Sequence, residues 1–177
     1  MEGLDTFAAF AATYGSLDDA EADYEAIKSL YYEGGLIDTF DAAVIAKDDK
    51  GKVKIVKKHE QPTRQGAWLG GGFGLATGLC LALFPAIGIG AAVAGSGIGS
   101  GLGALAGHAA GGMSRSDLKD LGETLDNGEC AVVAVAAAAL ADRVAADLKR
   151  AEKVERKELK ADPKAIEEDI AAAGSAT

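Results

Sequence analysis

Between Arg64 and Arg115 the sequence runs for 50 residues without one Asp, Glu, Lys or Arg. A stretch lacking lysine cannot hold a G-x-x-x-x-G-K-[ST] phosphate loop, however many glycines it contains. Cysteine is equally scarce. Cys80 and Cys130 form no CxxC pair, which excludes a disulfide framework and a thiolate metal cluster. Both lie in apolar runs, "GLCLALF" and "GECAVVAV", the usual setting of a buried free thiol, and this fits a reducing compartment. The two histidines, His59 and His108, are far apart and have no HExxH around them, so no metal site is expected. An excess of basic residues is missing too. With 18 Lys and Arg against 27 Asp and Glu, the net charge of −9 argues against a nucleic-acid partner. The opening "MEGLDTFAAF" has no basic segment and does not read as a secretory signal.

What is present falls into charged flanks around that uncharged middle. Residues 1–64 hold 13 acids and 8 bases, and residues 115–177 hold 14 acids and 10 bases. In the first flank, "LDTFAAFAATYG" reads as an apolar strand. "SLDDAEADYEAIKSLYYEGG" has helix grammar: a Ser16 or Asp18 cap, an acidic first turn and a Gly34–Gly35 stop. Leu17, Ala20, Tyr24, Ile27 and Tyr31 space its apolar face. "TFDAAVIAK" and "KVKIVKK" are strands joined by the hairpin turn "DDKG". In the second flank, "SDLKDLGETLDNG" reads as a capped helix and "ECAVVAVAAA" as a strand. "LADRVAADLKRA" follows as a helix with Leu140, Val144 and Leu148 on one face, then "KVERKEL" as a strand.

Two βαβ halves of this kind predict an α+β, ferredoxin-like sandwich with helices on one face of an antiparallel sheet. The expected boundaries are 1–64 for the first half, 65–113 for an inserted helical hairpin and 114–160 for the second half. Residues 161–177 are expected to be a short helix or tail, the helix falling on "DPKAIEEDIAAA".

The middle supplies the candidate site. Gly66, Gly70, Gly74 and Gly78 recur every fourth residue, as do Gly95, Gly99, Gly103, Gly107 and Gly111. Helices over roughly 66–84 and 87–112, broken at Phe84–Pro85, would each carry one straight glycine groove suited to close helix packing. In water each glycine costs up to about 1 kcal/mol of helix propensity, so packing or membrane insertion has to offset it. Each helix would be about 30 Å long, the thickness of a bilayer core. Lys57, Lys58 and Arg64 before the hairpin, and Arg115 and Lys119 after it, would keep both flanks in the cytoplasm. Trp68 suits an interface or a core. Glycine and alanine bury little area, so a soluble assembly with hairpins packed between subunits is the competing expectation. Either way the chain is expected to self-associate.

Catalytic constellations are missing. "GSGLGA" at 99–104 fits a dinucleotide fingerprint only formally, because it follows no strand. His59, Glu60 and Arg64 read as a solvated linker or a pH-sensitive collar, and His108 as an interhelical polar contact or a pore-lining group. Asp18, Asp19, Glu21, Asp23 and Glu25 read as a cluster that attracts a cation or, more simply, as acids that complement the helix dipole. Of Tyr31 and Tyr32, one belongs in the core and one outside. No nucleophile–base pair is present, no cofactor is called for, and the chain reads as a non-enzyme.

The order of "LIDTFDAAVIAKDDKGKVKIVKKHE", a glycine-rich hairpin, "LKDLGETLDNGECAVVAVA" and "ADPKAIEEDIAAA" resembles a bacterial family of unknown function. Its members are often labelled predicted membrane proteins, and it is similar in plan to glycine-zipper general stress proteins. The resemblance implies a sandwich with an inserted hairpin and a link to stress, and it implies no catalytic residues. The alanine-rich "AVVAVAAAALAD" departs from the bulkier strand expected there. The functional expectation is a non-catalytic self-assembling protein. Its hairpin would anchor it to membrane lipid at the cytoplasmic face of the inner membrane and join it to further copies. The alternatives are a soluble cytoplasmic shell, ring or filament, and a small-molecule or ion sensor.

Overall fold

A computed structural model describes residues 5–36, 41–58, 76, 79, 80, 83, 111–126 and 128–162 of the 177-residue chain. Strand β1 (Asp5–Tyr14) leads into helix α1 (Leu17–Glu33). The Ser16 hydroxyl accepts the Asp19 N–H at 3.2 Å and caps the first turn. At the other end Leu36 N–H bonds the Tyr31 carbonyl and Gly35 N–H bonds the Tyr32 carbonyl. That is a Schellman close, and it needs Gly35 at φ +69°. Strands β2 (Ala42–Lys47) and β3 (Val53–Lys58) form the expected hairpin. The Asp48 carboxylate holds its turn by accepting the N–H groups of Lys50 and Lys52 at 2.9 Å, with Gly51 at φ +76°.

Helix α2 (Arg115–Asp126) is capped by Ser114, whose hydroxyl accepts the Asp117 N–H at 3.0 Å. Strand β4 (Cys130–Ala137), a 3₁₀ turn (Ala138–Leu140), helix α3 (Ala141–Asp147) and strand β5 (Lys153–Ala161) complete the described elements. Helix α3 stops short of the expected 140–151. The Arg150 backbone N–H is drawn to the Asp23 carboxylate at 2.9 Å instead of continuing the helix.

Among the described residues five strands make one antiparallel sheet in the order β3-β2-β4-β1-β5, with α1, α2 and α3 packed on it. Contrary to expectation, helices cover both faces. Even-numbered residues of β1 and β4, among them Phe10, Tyr14, Val132 and Ala134, pack with Tyr24, Ile27 and Tyr31 of α1 and Val144 of α3. Odd-numbered residues, Ala9, Ala11, Ala131, Val133 and Val135, pack with Leu121 and Leu125 of α2. Burial on two faces is why "AAFAATY" and "CAVVAVAA" read as unbroken apolar runs.

Ala76, Leu79 and Cys80 belong to the α2-side core, and Leu83 packs against it. All four are helical. They come from the stretch expected to form the first hairpin leg, and here that leg contributes to the domain core. Among the described residues no helix is long and apolar enough to cross a membrane.

The edge strands are charged, which protects open ladders from stray pairing. The pleat of β5 sends Lys157 to Asp120 of α2 at 2.9 Å, and Arg156 to Asp142 of α3 at 2.8 Å and over the Phe10 ring.

Candidate functional site

Ala76, Leu79 and Cys80 share a core cluster with the small side chains Ala9, Ala11, Ala43 and Ala131 and with larger ones, among them Ile45, Val133 and Leu121. Small residues let a helix lie close to the sheet, but they yield little apolar area per contact. One polar contact adds to the fit. Asp41, held on the sheet by a bond from Val135 N–H to its carbonyl at 2.9 Å, accepts the Ala76 N–H on its carboxylate at 3.2 Å. Cys80, fully buried, lies near that carboxylate. Burial, then the Asp41 charge, pushes its thiol up to about 12. The same two causes push the Tyr31 phenol up to about 12. Such a thiol is a poor nucleophile at neutral pH.

A second polar centre lies under the other face. Asp23 is wholly buried in α1, where it accepts the Tyr14 hydroxyl at 3.0 Å, Arg150 N–H at 2.9 Å and Arg150 Nη1 at 3.2 Å. Burial, then the Asp23 charge, holds the Tyr14 phenol far above its ordinary range. The Cys130 thiol, 3.5 Å from the Tyr14 carbonyl, is raised by burial and by Glu129, Asp19 and Glu152. These groups clamp β1, α1 and the α3–β5 loop together.

Gly66, Gly70, Gly74, Gly78, Gly95, Gly99, Gly103 and Gly107 lie outside the described residues, as do His59, Glu60, Arg64, Trp68 and His108. Gly111 is exposed, and a Cβ there would meet nothing within 4 Å among the described residues. Its neighbour Gly112 is the opposite case. Its carbonyl accepts the Lys160 N–H on the open edge of β5 at 2.9 Å, and a Cβ would strike the Lys160 carbonyl and Leu159. Tyr31 is buried and Tyr32 is 74% exposed, and both cysteines are buried and free. Of the five acids at the start of α1, Asp18 and Asp19 face solvent while Asp23 is interior. Among the described residues no group of three or more His, Cys, Asp or Glu could hold a metal ion.

Asp41 was not marked by the sequence, and Asp23, grouped there with the acids of the first turns of α1, is instead interior and bonded to Tyr14 and Arg150. For Asp23 a signal existed, since it falls three residues after Ala20 and four before Ile27, on the buried face of α1. Asp41 precedes a strand and meets a segment 35 residues away, so nothing local marked it.

A family model described as a protein of unknown function, DUF1269, matches residues 67–171, more than half of the chain. The chain belongs to the DUF1269 family. The DUF1269 match takes in the docked residues 76, 79, 80 and 83, α2, β4, α3 and β5, and leaves out β1, α1, β2 and β3. No curated protein and no solved structure matches the chain.

Proposed function

We propose that this chain is a non-catalytic, self-assembling protein whose uncharged segment is the association element, covered by further copies of the chain. The observation that carries this is where the ends of residues 84–110 are held. Leu83 packs against the α2-side core, where a Cβ on Gly122 would touch it at 3.7 Å, and Gly112 is bonded to Lys160 of the same domain. A stretch of 27 residues that leaves a domain and returns to it has about 13 residues per leg, about 20 Å if helical. A bilayer core is about 30 Å thick, so this favours a protein cover over lipid. An uncharged, apolar segment of that size needs a partner in water.

Helical periodicity supports the same reading. At about 100° per residue, positions 70, 74 and 78 fall between about a third and a half of a turn from the mean direction of 76, 79, 80 and 83, and position 66 about a quarter turn from it. A helix with that direction toward the sheet would turn its glycine groove outward, and residues 95–111 carry a matching groove. These are the features of a glycine zipper. The scaffold reading is a ferredoxin-like sandwich: without β3, the order β2-β4-β1-β5 is that of a split βαβ sheet. In this reading β3 and the hairpin are insertions, and no cofactor, nucleic acid or lipid takes part.

Detergent-free sizing with light scattering tests the proposal. The expected result is a discrete multi-chain particle that Gly103→Leu or Gly107→Leu breaks down while far-ultraviolet circular dichroism is retained. A wild-type monomer, or a protein that stays with membranes through an alkaline wash, would overturn it.

A further inference from the structure

The β2–β3 hairpin is basic on an otherwise acidic molecule. Residues 47–58 hold six lysines against two aspartates, a local charge of +4 on a chain of net −9. Strand β3 is the sheet edge and bonds only β2 within the sheet. Its turn projects Lys50 and Lys52 into solvent, with no ion pair to either among the described residues, and Lys54 reaches only Asp48, at 3.3 Å. Asp48, Asp49, Lys50, Lys52 and Lys54 line a concavity of about 400 Å³ there.

Strand register fixes what lies beside this turn. Ala46 pairs with Cys130, Tyr14 with Cys130 and Thr13 with Lys153, so the end of β2, the end of β1 and the starts of β4 and β5 share one end of the sheet. Acids collect at that end. Asp18 and Asp19 open α1, Glu129 precedes β4, and its carbonyl accepts the Lys47 N–H. Glu152 precedes β5 and donates its N–H to the Thr13 carbonyl. Arg150 lies 3.9 Å from Asp19, but Asp18, Glu129 and Glu152 have no ion pair among the described residues. Lys149 and Lys153 are exposed there too, Lys153 being paired with Glu155 at 3.6 Å, so the basic turn lies beside a patch in which Asp18, Glu129 and Glu152 have no cation of their own among the described residues.

A surface with adjacent patches of opposite sign is complementary to itself under a two-fold rotation, which lays each basic turn on the other copy's acids. The lysines of β3 also repel a second β3, so edge-to-edge strand pairing does not compete. We infer that this end of the sheet docks on the same end of a second copy, Lys50 and Lys52 of one facing Asp18, Glu129 and Glu152 of the other. The inference rests on the self-association reading above and adds its electrostatic contact. Charges so placed set orientation and encounter rate, and salt screens them.

Sedimentation equilibrium of the full chain at low and high salt tests this. Lys50→Glu with Lys52→Glu, or Asp18→Lys with Glu152→Lys, should each weaken association about tenfold at low salt. An equimolar mixture of the two variants should recover it. High salt should weaken the wild type and leave the variants little changed. Association indifferent to salt and to both reversals would overturn this contact while sparing self-association, whereas a monomer under every condition would overturn both. Flotation with phosphatidylserine vesicles supplies a further arm. Vesicle binding that Lys50→Glu with Lys52→Glu abolishes, with self-association unchanged, would reassign the basic turn to anionic lipid and overturn the second copy as its occupant.

Discussion

At the scale of single residues, Asp23 is the group on which most local geometry converges. A buried carboxylate is tolerable only while its acceptor positions are filled, and here a phenol, a backbone N–H and a guanidinium fill them. Asp23→Ala leaves the buried Tyr14 hydroxyl and the Arg150 N–H without their acceptor. It should lower unfolding free energy by about 2–4 kcal/mol in urea titrations. Tyr14→Phe removes one donor of three and should cost about 1–2 kcal/mol. Equal losses for the two would show that the contact is carried by the phenol alone.

At the scale of elements, the backbone near residue 112 is held more tightly than its glycine-rich sequence suggests. The Gly112 carbonyl bonds the open edge of β5, and no side chain fits between them. Gly112→Ala should therefore lower the urea midpoint, at a cost of about 1–3 kcal/mol. Gly111→Ala, with open space around it, should leave the midpoint unchanged or raise it by up to about 1 kcal/mol in helix propensity. Identical responses would refute the close approach. All five strands and α1 were legible in the sequence, because their signals are local: alternation, the Ser16 cap, the Gly35 stop and the Asp48–Gly51 turn. Two-sided cover was not, since runs such as "CAVVAVAA" are apolar at every position and do not say how many layers they meet. The end of α3 was illegible for another reason. It depends on Asp23, which is 127 residues from Arg150. The docking of Ala76, Leu79 and Cys80 was hidden because a helix bound for an apolar core and one bound for lipid have the same uncharged composition.

At the scale of the whole molecule, acids buried on both faces of the sheet act together in alkali. The Cys80 thiol rises from 9.0 to about 12 and the Tyr31 phenol from 10.0 to about 12. Between those values the unfolded chain has lost protons that the folded protein keeps, so folding stability falls as pH rises. Stability is whole below about pH 9 and declines toward pH 12, by about 1.4 kcal/mol per pH unit for each fully shifted group. Urea midpoints measured from pH 8 to 11 should fall, and Cys80→Ala should flatten the early part of the decline. A flat profile would show that Cys80 is open to water. The strand order has a further consequence. β4 and β5 lie within the family match, but β1 runs between them and bonds both. In this chain the two strands of the matched segment never pair with each other: they join one sheet only through a strand that lies upstream of the match.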